Sequence, residues 1–123
     1  MTFRLVGVAE RQIDRILLES AREFGIDAAA RYHRLILVTM AAIADTPGRL
    51  GSRAVHPVVG VRVYPLRLAR ALVDRKDRIT RPRHLIVYRI APDGVIEILG
   101  VIHDRMSLVR AARRAQREAN AER

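Results

Sequence analysis

Apolar residues recur at helical spacing soon after the start of the chain. Ala9, Ile13, Ile16, Leu17, Ser20, Ala21 and Phe24 fall on one face, and Glu10, Arg11, Asp14, Arg15, Arg22 and Glu23 fall mostly elsewhere. That spacing predicts an amphipathic helix, preceded by a short β-prone run at Phe3 to Val6. Gly25 is a natural stop, because helix ends often need a left-handed residue. Asp27 is then placed to cap a second helix, with Ala28, Tyr32, Leu35, Ile36, Thr39, Ala42 and Ile43 on its apolar face. The pattern stops before Pro47-Gly48. So short a connection predicts an antiparallel helical hairpin.

The period then changes. Residues 45–60 carry Pro47, Pro57 and several glycines and read as a loop. Val61 to Leu66 alternates as a strand, with Pro65 placing its end near an edge or a bulge. Residues 67–83 form a basic insert, in which Leu66, Ala69 and Leu72 or Val73 suit a helical turn or two. His84 to Ala91 and Val95 to Ile102 read as a hairpin through Pro92-Asp93-Gly94. Both runs are apolar on both faces, which makes them central strands. Residues 107–120 are helix-prone with a thin stripe of Leu108, Val109, Ala112, Ala115 and Ala119, a helix that needs a partner. The order is β-α-α-β-β-β with a basic C-terminal helix. It predicts one α+β domain over 1–123, with a compact core at about 3–106. An antiparallel sheet packs on the two-helix hairpin, and its other face lies more open.

Composition narrows the class. The 123 residues suit one domain, and half of them are hydrophobic. With no cysteine, disulfides and thiolate metal sites are excluded. The opening residues lack the apolar stretch of a signal peptide, and no apolar run reaches the roughly 18 residues of a membrane span. These features fit a cytoplasmic protein. Charge changes the picture most. The net charge is +10, and Lys76 is the sole lysine among 23 basic residues. Residues 1–57 hold 8 arginines against 6 acids, whereas 58–123 hold 15 bases against 7 acids. So basic a half expects a polyanionic or acidic partner, and arginine favours planar, bidentate contacts.

Four stretches in this order resemble the RelE/ParE family of toxins from bacterial type II toxin–antitoxin modules. They are FRLVGVAERQIDRI, ADTPGRLGSR, GVRVYPL and HLIVYRIAPDGVIEILGVIHDRM. The last ends in a His-x-Arg element typical of the ParE-like branch, and together they cover roughly residues 3–108. The insert at 67–83 and the tail after 108 are longer than is usual in the family. The resemblance implies a toxin that arrests growth by binding DNA gyrase or topoisomerase IV, neutralised in a hetero-oligomer by an acidic, partly disordered antitoxin. The RelE-like alternative is a messenger RNA endoribonuclease working on the ribosome. A basic nucleic-acid-binding protein without toxicity is the third reading.

Cutting RNA needs a base for the 2′-hydroxyl, a proton donor for the leaving oxygen and cations around the phosphorus. Arg62, Arg89 and Arg105 supply cations, but no tyrosine follows the last strand. His103 is left as the acid–base candidate. Asp104, its neighbour on an extended strand, is expected to point to the other face, and to serve instead as a cap or turn former. A histidine ending a strand also serves simply as a hydrogen-bonding terminator. Under the inhibitor reading, the target-binding residues are Arg62, Arg89, His103, Arg105, Arg110, Arg113 and Arg114. Ile13, Leu17, Tyr32 and Leu35 would then line the antitoxin groove across the hairpin. No metal-ligand spacing surrounds His33, His56, His84 or His103, and GxGxxG and GxxxxGK are absent, so neither a metal nor a cofactor is expected. The few aromatic residues fall largely on predicted core faces, which leaves little for a base-stacking platform.

Overall fold

A computed structural model of the chain describes residues 2–122. Strand β1 (Phe3–Leu5) leads into helices α1 (Gly7–Phe24) and α2 (Ile26–Asp45). Strands β2 (Arg53–Val55), β3 (Val58–Pro65), β4 (His84–Ile90) and β5 (Ile96–His103) follow, and helix α3 (Leu108–Ala121) closes the chain. The α+β class holds, and the predicted strands and helices are present. Gly25 ends α1 at φ 96°, the left-handed region its position required. That same glycine precedes α2, so Asp27 lies inside the first turn, where it faces the helix dipole, and is not the cap.

The sheet runs β1-β5-β4-β3-β2, which puts the doubly apolar strands in the middle. Two details depart from the sequence pattern. The loop at 45–60 contains β2, which pairs antiparallel with β3 but is too short to show a period. β1 joins β5 in parallel, because the hairpin that follows it returns the chain to the far side of the sheet.

The sheet is covered on both faces. Ile86, Tyr88 and Ile98 pack under α1 and α2 with Ile13, Leu35, Ile36 and Met40. The alternate positions Val61, Val63, Val87 and Leu99 pack with Ala111, Ala112, Ala115 and Ala119 of α3. The expected open face is thus occupied: the alanine stripe of α3 is the second cover. The insert at 67–83 forms 3-10 turns at Leu66–Leu72 and Arg75–Asp77, with Leu66, Ala69 and Val73 buried. Arg70 Nε donates to Ile79 O at 2.6 Å and Arg78 Nε to Val73 O at 3.0 Å, so these arginines staple the insert.

A bulge in β5 has the largest consequence for the site. Val87 pairs with Gly100 and Tyr88 with Ile98, leaving Leu99 as an extra residue. The extra residue reverses the alternation beyond it. Val101 therefore joins the hairpin-side cluster and Ile102 the α3 side. His103 is brought onto the hairpin face, directly across from His84.

Candidate functional site

Five polar side chains meet where β4 begins and β5 ends. The His84 and His103 rings stack edge to face with centroids 5.2 Å apart. Tyr32, from the middle of α2, brings its hydroxyl to 2.5 Å from His84 Nδ1. Asp104 lies 3.1 Å from His103 Nδ1 through one oxygen and accepts from Arg83 Nε at 2.7 Å through the other. The Asp104 amide also donates to Arg83 O at 2.7 Å, which closes the strand ends together.

Burial sets the protonation of this group. It raises the Tyr32 phenol to about 12, with the Asp104 charge adding to the effect and the Arg83 and His84 amides opposing it. Burial first, and the neighbouring His103 second, lower the His84 imidazole to about 4, although Asp104 pulls the other way. At neutral pH the phenol therefore donates to His84 Nδ1, and His84 is a neutral ring with its proton on Nε2. His84 is a fixed donor there, not a base. His103 Nδ1 accepts from the Arg105 amide at 3.1 Å and lies 3.1 Å from Asp104 Oδ1. The hydrogen bond to Arg83 holds Asp104 below the usual carboxylate range, so it stays an acceptor.

These groups stand beside a cleft of about 750 Å³. Arg31, Arg78, Arg81 and Arg83 line it, as do Glu19 and Glu23 of α1. A smaller cavity of about 270 Å³ lies on the other side of the histidines, between α1 and α3.

The residues singled out from the sequence scatter around this centre. His103 is in it, and Asp104 points to the same side because β5 ends at His103 and the chain turns. The extended-strand expectation fails there, and α3 takes Ser107 as its cap. Arg62 lies opposite Tyr88 on the hairpin face, where it donates to Ser52 Oγ at 2.8 Å. Arg89, one residue beyond Tyr88, points to the α3 face. It pairs with Glu97 at 2.9 Å and donates to Asn120 at 2.8 Å. Arg62, Arg89 and Arg105 thus do not form one surface. Arg105, Arg110, Arg113 and Arg114 are exposed, with Arg114 paired to Glu118 at 2.9 Å. Ile13, Tyr32 and Leu35 are buried at 6%, 8% and 1% exposure, and Leu17 packs against the same core. The hairpin's apolar stripe faces the sheet, and these side chains pack in the core there. His84, Tyr32 in its polar role and Arg83 were not legible as a group. Their only signal is the pair of histidines ending adjacent strands.

The fold is a small, strongly basic α+β domain with a polar cluster at its strand ends and an arginine-bearing helix on its back. The model for the ParE toxin of the type II toxin–antitoxin system parDE matches residues 4–108, and the chain belongs to that family. The chain is also 32% identical over 123 residues to proteins named gamma-glutamyl phosphate reductase from strains PXO99A and MAFF 311018 of Xanthomonas oryzae pv. oryzae. The match takes in 95% of this chain and 28% of the length of those curated relatives. Among the described residues, no helix is long and apolar enough to cross a membrane.

Proposed function

We propose that the chain arrests growth in the bacterial cytoplasm by occupying DNA gyrase or a related type II topoisomerase, and that its antitoxin prevents this by covering the same protein. The observation that carries the reading is α3. Its alanines are buried against the sheet, and Arg110, Arg113 and Arg117 stand exposed on a rigid support, outside every ion pair among the described residues. Arginines held this way suit a protein partner with an acidic surface, since little side-chain order is lost on contact.

The test is gyrase supercoiling of relaxed plasmid with the purified chain, at moderate and higher salt. Inhibition that survives higher salt, with cleaved DNA trapped, is the expected result. Inhibition that vanishes with salt marks general binding to DNA instead.

The strand-end cluster favours a second reading, ribosome-dependent cleavage of messenger RNA. His103 would take the proton of a 2′-hydroxyl as that oxygen attacks phosphorus, a second group would protonate the departing 5′-oxygen, and the cleft arginines would face the phosphorane. Messenger cut only when ribosomes are present would select it. The reductase name of the partial relatives stays with those proteins, of whose length the match takes in 28%.

A further inference from the structure

The cleft beside the histidines also holds apolar residues and two carboxylates that neither reading uses. The end of the insert contributes Arg78, Arg81 and Arg83 to its lining, and α2 contributes Arg31. Among the described residues, Arg31, Arg78 and Arg81 form no ion pair. Arg78 Nε donates to Val73 O at 3.0 Å and its Nη2 to Ala71 O at 3.4 Å, which positions the guanidinium without neutralising its charge. Glu19 and Glu23 line the cleft from α1. Ile16, Ala28 and Ile79 also line it, and Phe24, another lining residue, is 70% exposed.

Each part of this arrangement restricts the ligand. Uncompensated guanidiniums sharing one cavity repel each other and are relieved by a multivalent anion. A carboxylate has one charge and two oxygens, and a single arginine satisfies it. A phosphomonoester has close to two charges and three free oxygens, and needs several donors converging from different directions. The carboxylates of Glu19 and Glu23 repel an anion and accept hydrogen bonds from N–H donors. The apolar lining and the exposed aromatic ring suit a flat ring system. A volume of about 750 Å³ is in the range of small-ligand sites.

We propose that this cleft is a binding site for a phosphomonoester carried on an amine-bearing base, with the phosphate at the insert arginines and the base edge towards α1. Such a group occurs on a free nucleoside monophosphate and at the 5′ end of a nucleic-acid strand. The inference is independent of whether the target is a topoisomerase.

The experiment is calorimetric titration of the full chain at about 0.15 M salt, where exposed charges are largely screened. AMP, adenosine and inorganic phosphate are compared, as are a short oligonucleotide with a 5′-phosphate and the same oligonucleotide with a 5′-hydroxyl. AMP is expected to bind more tightly than inorganic phosphate, and adenosine not to bind measurably. Among the described residues Arg31 and Arg81 form no ion pair, so R31Q/R81Q removes charge from the cleft with little disturbance. It is expected to weaken AMP binding at least tenfold. R53Q/R67Q removes equal charge from exposed sites outside the cleft and is expected to leave AMP binding unchanged. Thermal melts confirm that both variants fold. If AMP binds, the free nucleotide is a sufficient source. If only the 5′-phosphorylated oligonucleotide binds, the group is read at a strand end. Equal losses in the two double variants would overturn the proposal in favour of general charge attraction, as would adenosine binding as well as AMP or no binding of any phosphorylated probe.

Discussion

The surroundings of His84 oppose its charge, and this gives stability a defined dependence on pH. In the unfolded chain its imidazole titrates at the ordinary 6.5, whereas in the fold burial and His103 hold it down to about 4. Between those values the unfolded chain takes up a proton that the folded one refuses. Stability therefore rises with pH across that window and is lost as pH falls from 6.5 towards 4. Tyr32 acts at the other end: burial raises it from 10 to about 12, so the fold keeps a proton that the unfolded chain releases, and stability falls as pH rises through that range. His84→Gln keeps a polar partner for the Tyr32 hydroxyl and removes the titration. The drop in melting temperature between pH 7 and pH 5 should be smaller in the variant than in the parent. Equal drops would place the acid sensitivity elsewhere. His103 could be singled out from the sequence because it ends an apolar run. Its company could not. Strict alternation through Ile96, Ile98, Gly100 and Ile102 sends His103 to the face opposite the one it occupies, and only the Leu99 bulge corrects it. Nothing in one strand's composition announces a bulge that the pairing with its neighbour creates.

The thin alanine stripe of α3 was legible, and so was its need for a partner. The partner was implied by a pattern already noted: central strands apolar on both faces require two covers, and the hairpin supplies one. Small side chains let the helix lie close to Val87 and Leu99, and Gly100 serves the same approach from the strand. A Cβ at Gly100 would come within 3.0 Å of Gln12 Oε1 and 3.6 Å of the Ala115 Cβ. Gln12 itself accepts from the Val101 amide at 2.9 Å, beyond the last pairing of β1. The far end of the chain finishes the arrangement. The Glu122 carboxylate accepts from the Gly7 and Val8 amides at 2.8 and 2.9 Å, so it caps α1, whose own N-cap is the apolar Val6. That contact joins residues more than a hundred positions apart, which no local capping signature encodes. Removing it with Glu122→Ala should cost about 1 kcal/mol, the usual value of a helix cap. Glu118→Ala breaks only the exposed pair with Arg114 on the same helix and should cost about 0.3–0.5 kcal/mol. Urea denaturation of the two variants separates these outcomes, and similar losses would mean that the Glu122 cap does not hold in solution.

Charge acts across the whole molecule, and its placement separates the functional readings. A net charge of +10 draws any polyanion by long-range attraction, so binding to DNA or RNA at low salt distinguishes none of them. What separates them is which part of the surface growth arrest depends on. The arginines of α3 lie on the back of the sheet from the hairpin, and His103 lies at the strand ends beside the cleft. A topoisomerase held by occupancy depends on the first and is indifferent to the chemistry of the second. R110E/R113E/R117E should therefore weaken target binding by tenfold or more and relieve growth arrest, most steeply at low salt, where charge steers association. His103→Ala should leave arrest intact, because no proton needs to move. Arg110, Arg113 and Arg117 form no ion pairs among the described residues, so reversing them leaves the fold's own pairs in place, as a melt would verify. Reversed sensitivity, with folded His103→Ala harmless to cells and the charge-reversed protein still toxic, would show that the strand-end cluster acts chemically and that the arginine helix serves mainly to cover the sheet.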